Sequence, residues 1–137
     1  MKDALAVEKI RKYIERHLHE DLSLDRLSRK LNYSKFYIGR VFAEGAGCTI
    51  YKYIQRRRLA EAAKQLISTD KPIVEIALEA RYNSQQAFTL AFRRLYGCTP
   101  YACRKKGRNW IKRYVGKKSK TRVCYAASDR MWKLLAA

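Results

Sequence analysis

Apolar residues over the first hundred positions recur at steps of three and four, the spacing of one face of an α-helix, and nowhere alternate as a half-buried strand would. The longest stripe lies between Thr49 and Thr69, where Ile50, Tyr53, Ile54, Leu59, Ala62, Ala63, Leu66 and Ile67 share one side. At 1.5 Å per residue this predicts a rod about 28 Å long. Gly47-Cys48-Thr49 precedes it, and Gly97-Cys98-Thr99 repeats the triplet; each follows a phenylalanine, Phe42 or Phe92, by five residues. The chain therefore repeats at about fifty residues, with the long helix as a strut between the copies.

In the first copy, Leu5, Val7, Ile10, Tyr13, Ile14 and Leu18 predict a helix over Ala4–Leu18. Ser23 is placed to cap a second helix over Leu24–Leu31, and Asn32, which tolerates a left-handed backbone, makes a tight turn. Ser34 then caps a third helix running to about Glu44. Two short helices about a tight turn have the form of a helix-turn-helix. The second copy follows the same plan. Pro72 opens a helix with Ile73, Ile76, Ala77 and Ala80 inward, Arg81-Tyr82-Asn83 turns one residue more slowly, and Ser84 caps Gln85–Tyr96. Pro100 begins a last helical turn.

The predicted fold is all-α, with two helix-turn-helix subdomains joined by a long central helix and about seven helices in total. The expected divisions are 1–48 and 70–104 for the subdomains, 49–69 for the linker helix, and 105–137 for a basic C-terminal extension, read as largely disordered.

Charge narrows the range of partners. The 137 residues carry a formal net charge of +19, which calls for a polyanion, most commonly nucleic acid, with membrane surface second. Residues 1–103 hold 19 Lys and Arg against 11 Asp and Glu, while residues 104–137 hold 12 against 1. No apolar run is long enough to span a membrane, and Lys2, Asp3, Glu8 and Lys9 leave no room for the apolar core of a signal peptide. A cytoplasmic protein is expected, with Cys48, Cys98, Cys103 and Cys124 as thiols. His17 and His19 lie far from the cysteines and are expected as two exposed residues at a helix end, so neither a metal nor another cofactor is expected. There is no phosphate-binding glycine loop, no H-E-x-x-H and no nucleophile with a histidine partner, so no catalytic residue is assigned and an enzyme is not expected. A redox sensor built on Cys98 and Cys103 is the weaker alternative to inert thiols.

If Ile38, Val41 and Phe42 turn inward, Lys35, Phe36, Gly39, Arg40 and Ala43 look out. If Phe88, Ala91 and Phe92 turn inward, Gln85, Gln86, Thr89, Leu90 and Arg93 look out. Arg and Gln can form paired hydrogen bonds to guanine and adenine edges in the major groove, and Ser34 and Ser84 at helix N-termini suit phosphates. Taken alone, such a face is more often an ordinary solvated one; its recurrence favours the base-reading role. Arg56, Arg57 and Arg58 point in three directions along the strut, so one of them is expected to turn inward against a carboxylate, with Glu61, Glu75 and Glu79 available.

In order and spacing, these residues resemble the DNA-binding region of the AraC/XylS family of bacterial transcription regulators, and in size its single-domain Mar-Sox-Rob subgroup. The resemblance covers the first 104 positions. It is carried by Leu22-Ser23-Leu24, Leu27-Ser28, Tyr33-Ser34-Lys35, Arg40-Val41-Phe42, Tyr53-Ile54, Arg57-Arg58-Leu59, Ile76-Ala77, Ser84-Gln85-Gln86, Phe88-Thr89 and Thr99-Pro100. It implies a sequence-specific activator that binds an asymmetric promoter site in double-stranded DNA as a monomer. Its two recognition helices would enter successive major grooves, and it would recruit RNA polymerase in the bacterial nucleoid, with no membrane partner. It places base contacts at Phe36, Gly39, Arg40, Gln85, Gln86 and Leu90. Phosphate contacts are expected at Ser34, Lys35, Ser84, Thr89 and Arg93.

Four departures bear on specificity and strain. Gly39 stands where a polar reader is usual, Leu90 replaces a usual Arg, Arg81 stands where the turn favours Gly, and Cys103 replaces a usual Tyr. The rival reading is a sequence-tolerant DNA-architectural or RNA-associated basic protein whose extension supplies most of the affinity. The extension is alternatively a docking segment for protein or anionic membrane, and its terminal Leu135-Ala136-Ala137 resembles endings read by bacterial degradation machinery.

Overall fold

The computed structural model describes residues 2–107. Among them are seven helices and no strand: α1 (Lys2–Arg16), α2 (Leu24–Leu31), α3 (Lys35–Ala46), α4 (Ile50–Ser68), α5 (Ile73–Glu79), α6 (Gln85–Tyr96) and α7 (Pro100–Lys106). The expected all-α order is found, with α1 shifted two residues toward the N-terminus and α3 extended two residues past Glu44. Residues 108–137, which hold most of the basic extension and its terminal Leu-Ala-Ala, lie outside the described residues. The chain forms two compact units, Met1–Gln55 and a second beginning at Arg56, so the division falls inside the unbroken helix α4.

In the first unit Ile10 and Ile14 of α1, Leu27 of α2, and Ile38, Val41 and Phe42 of α3 are buried, as the helical stripes predict. Phe42 meets the Tyr53 ring edge-on at 5.1 Å, and the Tyr53 hydroxyl donates to Glu15 Oε1 at 3.0 Å. Gly45 marks the close approach of α1 to α3, because a Cβ there would lie 2.7 Å from Cγ2 of Val7. His17 is half-buried, contrary to the exposed position expected. Its ring stacks on Tyr13 at 4.1 Å, and its Nδ1 lies 2.8 Å from the Tyr13 carbonyl, a contact that a count of helix faces does not reveal.

The second unit packs Leu59, Ala63 and Leu66 of α4 against Ile76 and Ala77 of α5, Phe88, Phe92 and Tyr96 of α6, and Cys103 of α7. Its aromatic rings form a series: Tyr82 to Phe88 at 5.7 Å, Phe88 to Phe92 at 5.7 Å, and Phe92 to Tyr96 at 4.7 Å. The arginine expected to turn inward from the strut is Arg57. It is 4% exposed, with Nη2 3.9 Å from Glu61 Oε1, a spacing of one helical turn. Arg104 ties the unit together from α7. Its Nε donates to the Leu66 carbonyl at 2.9 Å and its Nη2 to the Lys71 carbonyl at 2.6 Å. Leu66 carries one of the last four carbonyls of α4, which have no partner within the helix, so a cation there satisfies the acceptor and complements the negative end of the dipole.

The two turns solve one problem with different residues. Asn32 has φ 59° and ends α2, and the Ser28 hydroxyl donates to the Tyr33 carbonyl at 2.6 Å across the turn. Arg81 has φ 66°. Its N–H donates to the Leu78 carbonyl at 2.9 Å, and the Tyr82 N–H to the Ala77 carbonyl at 3.1 Å. These are the two bonds of a Schellman helix end, whose left-handed position usually falls to glycine. The Cβ of Arg81 makes that conformation costly.

Arg81→Gly should therefore raise the unfolding free energy by about 1 kcal/mol in urea titration, because relief of the Cβ clash outweighs glycine's greater chain entropy. An unchanged midpoint would show that the turn carries no strain. Arg104→Ala should lower stability by about 2 kcal/mol, the order expected for charged hydrogen bonds to carbonyls in a partly exposed setting. Arg104→Lys should recover only part of that loss, since one ammonium lacks the fork that spans both acceptors.

Candidate nucleic-acid interface

Each unit presents one twelve-residue helix, α3 or α6, capped at its start by a serine side chain and closed at its end by the backbone of a glycine. At the start, Ser34 Oγ accepts from the Tyr37 N–H and Ser84 Oγ from the Ala87 N–H, both at 3.1 Å. At the far end Gly47 and Gly97 take φ of 77° and 76° and close the helix. Two residues later Thr49 Oγ1 accepts from the Lys52 N–H at 3.2 Å, and Thr99 Oγ1 from the Ala102 N–H at 3.1 Å, opening α4 and α7. The repeated Gly-Cys-Thr triplet is thus a junction in which glycine ends one helix and threonine starts the next.

With Phe42, Phe88 and Phe92 turned inward, the outer faces carry most of the residues expected there. Phe36 is 80% exposed on α3, and Lys35 and Arg40 are exposed beside it. Gly39 is half-buried, yet a Cβ added to it would meet nothing within 4 Å. On α6 Gln85, Gln86 and Arg93 are exposed and Leu90 is 53% exposed, whereas Thr89 is half-buried between the two faces. Ser34 and Ser84 are exposed but already serve as caps.

The electrostatics of the two helices differ. Lys35 forms an ion pair with Asp25 of α2, and the hydrogen bond and charge of that ammonium hold the Asp25 carboxyl below its ordinary value. Arg40 Nη1 lies 3.4 Å from Glu44 Oε2, and its guanidinium stands over the Tyr37 ring at 5.6 Å. The Tyr37 hydroxyl donates in turn to Asp3 of α1 at 3.0 Å, a bond that raises the phenol's pKa. Helix α6 contains no acidic residue. Among the described residues Arg93 and Arg94 are joined to no carboxylate.

Asp25, Tyr37 and Glu44 had no role in the reading from sequence alone. The Arg40–Glu44 spacing of four was a visible signal. The Asp25–Lys35 pair bridges a turn and was not visible. Cys98 and Cys103 are free thiols; burial raises the first, and burial followed by the charge of Cys98 raises the second to about 12. Neither has the lowered pKa that makes a thiol reactive. Among the described residues no group of His, Cys, Asp and Glu could hold a metal ion, and no helix is long and apolar enough to cross a membrane.

A helix-turn-helix domain family model matches residues 27–106. The chain is 39% identical over 116 residues to the HTH-type transcriptional regulator YbfP of Bacillus subtilis, covering 85% of this chain and 38% of that protein. It is 37% identical over 94 residues to the regulatory protein SoxS of Salmonella typhimurium, covering 69% of this chain and 88% of that one. The C-terminal domain of AraT, a response regulator from Geobacillus stearothermophilus, superposes with a TM-score of 0.69 at 32% identity, over 74% of this chain and 84% of that domain. The chain thus spans just over a third of the longer relative and most of the shorter one. The matched helix-turn-helix region and the near-full-length likeness to SoxS establish that the chain belongs to the AraC/XylS family of helix-turn-helix transcription regulators, alongside members of its Mar-Sox-Rob subgroup.

Proposed function

We propose that the protein is a sequence-specific regulator, acting as an activator, that binds an asymmetric site in double-stranded DNA as a monomer and recruits RNA polymerase in the bacterial cytoplasm. Helices α3 and α6 would read successive major grooves. The observation that carries this reading is the recurrence, on two capped helices, of an outward face able to meet base edges: Phe36 and Arg40 on α3, and Gln85, Gln86 and Leu90 on α6. Arg40 suits guanine, the two glutamines suit adenine, and Phe36 and Leu90 suit the methyl group of thymine. Gly39 would let the backbone of α3 approach a base edge without contributing a side chain of its own. Lys35 and Arg93, with Ser34, Ser84 and Thr89 near the helix starts, would position the protein on phosphates.

A second reading, a sequence-tolerant DNA-architectural or RNA-associated protein, is favoured by two observations. Gly39 faces open space, and Leu90 offers no hydrogen bond where the family commonly has Arg.

Selection from a random duplex pool at about 0.15 M salt, where non-specific phosphate binding is partly suppressed, separates the two. Enrichment of two short blocks about one helical turn apart is expected; tight binding without enrichment would support the sequence-tolerant reading. Gln85→Ala and Gln86→Ala should each weaken binding to the selected site by about 1–3 kcal/mol and relax preference at one base pair. Equal losses on an unrelated duplex would assign them to the backbone instead. Leu90→Arg should sharpen preference toward guanine at its position, and an unchanged profile would remove Leu90 from the reading face.

A further inference from the structure

Among the described residues, the cations of α3 are held by carboxylates of the same unit, and those of α6 are not. Lys35, at the first position of α3, reaches across the turn to Asp25, and Arg40, one and a half turns on, reaches along the helix to Glu44. All four side chains are largely exposed, between 44% and 65%, so each pair lies on the outer surface rather than within the core. In the second unit α5 carries Glu75 and Glu79, but Glu79 faces Lys71 at 3.0 Å and neither is joined to Arg93 or Arg94.

From this asymmetry, and resting on the reading of α3 and α6 as DNA-facing helices, we propose that Asp25 and Glu44 are built-in competitors of DNA for Lys35 and Arg40. Helix α6 then anchors on any duplex, whereas α3 engages only where its base contacts offset the loss of two ion pairs. A phosphate that takes Lys35 leaves the Asp25 carboxylate uncompensated beside a polyanion. That carboxylate must recruit a cation from solution, which opposes the cation release that drives binding. Arg40 presents the same exchange at a base edge, and it stays aimed outward because the Tyr37 ring lies beneath it and Asp3 holds the Tyr37 hydroxyl. Asp25 and Glu44 are therefore specificity-determining residues that need touch no base. They suppress attachment of the first unit to arbitrary sequence, which a chain of net charge +19 would otherwise favour.

The test is equilibrium binding of the full chain and of Asp25→Asn, Glu44→Gln and the double variant to an unrelated 20-bp duplex, and to the selected site, between about 0.05 and 0.3 M salt. Each single substitution should tighten binding to the unrelated duplex about two- to fivefold, the range set by an exposed pair, and steepen the slope of log affinity against log salt by up to about one. The selected site should gain less, so discrimination falls. The gain from Asp25→Asn should vanish in a Lys35→Gln background, which separates release of that lysine from a general change in charge. Slopes and affinities equal to those of the parent, or an Asp25→Asn gain that survives Lys35→Gln, would overturn the proposal. If the pool yields no enriched site, it is the base-reading function that fails; the unrelated-duplex slopes still decide whether the carboxylates compete.

Discussion

Every helix end leaves backbone donors or acceptors without partners inside the helix, and the fold depends on how this chain satisfies them. Six of the seven helices among the described residues meet at short junctions, and at α3 and α6 the solution is the same: serine before, left-handed glycine after, and threonine two residues later. These contacts are worth only about 1 kcal/mol each, yet they fix where a helix begins and which way the chain leaves it. Once Ser34 and Gly47 bound α3, the register is set. Ile38, Val41 and Phe42 must then go inward, and Phe36 and Arg40 must go outward.

Burial supplies the driving force that capping only directs. Phe42 in the first unit, and Phe88 and Phe92 in the second, are fully buried at the backs of their helices, and truncating any of them to alanine costs about 3–5 kcal/mol by the usual core scale. The second unit adds polar ties at its periphery. Arg104 satisfies the end of α4 and the following linker, and Arg57 is buried with its head toward Glu61. Such arginines hold position through hydrogen bonds and packing together.

The outer faces are free of those demands and diverge accordingly. The first carries two cations bound to carboxylates around an exposed phenylalanine; the second carries two glutamines and an exposed leucine, with two arginines beyond that meet no carboxylate among the described residues. Duplication of the scaffold has therefore not produced duplicate surfaces. The two faces differ in charge pairing and in side-chain chemistry although the helices that carry them are capped alike.

Local chemistry sufficed for much of this. The stripes of Ile10, Ile14, Phe42, Leu66 and Phe92 announced helices and core because helical periodicity and burial are written in residue spacing. Ser23, Ser34 and Ser84 announced helix starts because a cap is a contact across three residues. The outward set, from Phe36 to Arg93, followed by subtraction once the inward set was known. Tertiary structure alone decided which of three strut arginines is buried, that Arg104 clamps the end of α4 from 38 residues away, that His17 stacks on Tyr13, and that Asp25 holds Lys35 across the turn. Periodicity assigns a residue to a face, but a long polar side chain on that face reaches whatever partner the packing of neighbouring helices brings within its length.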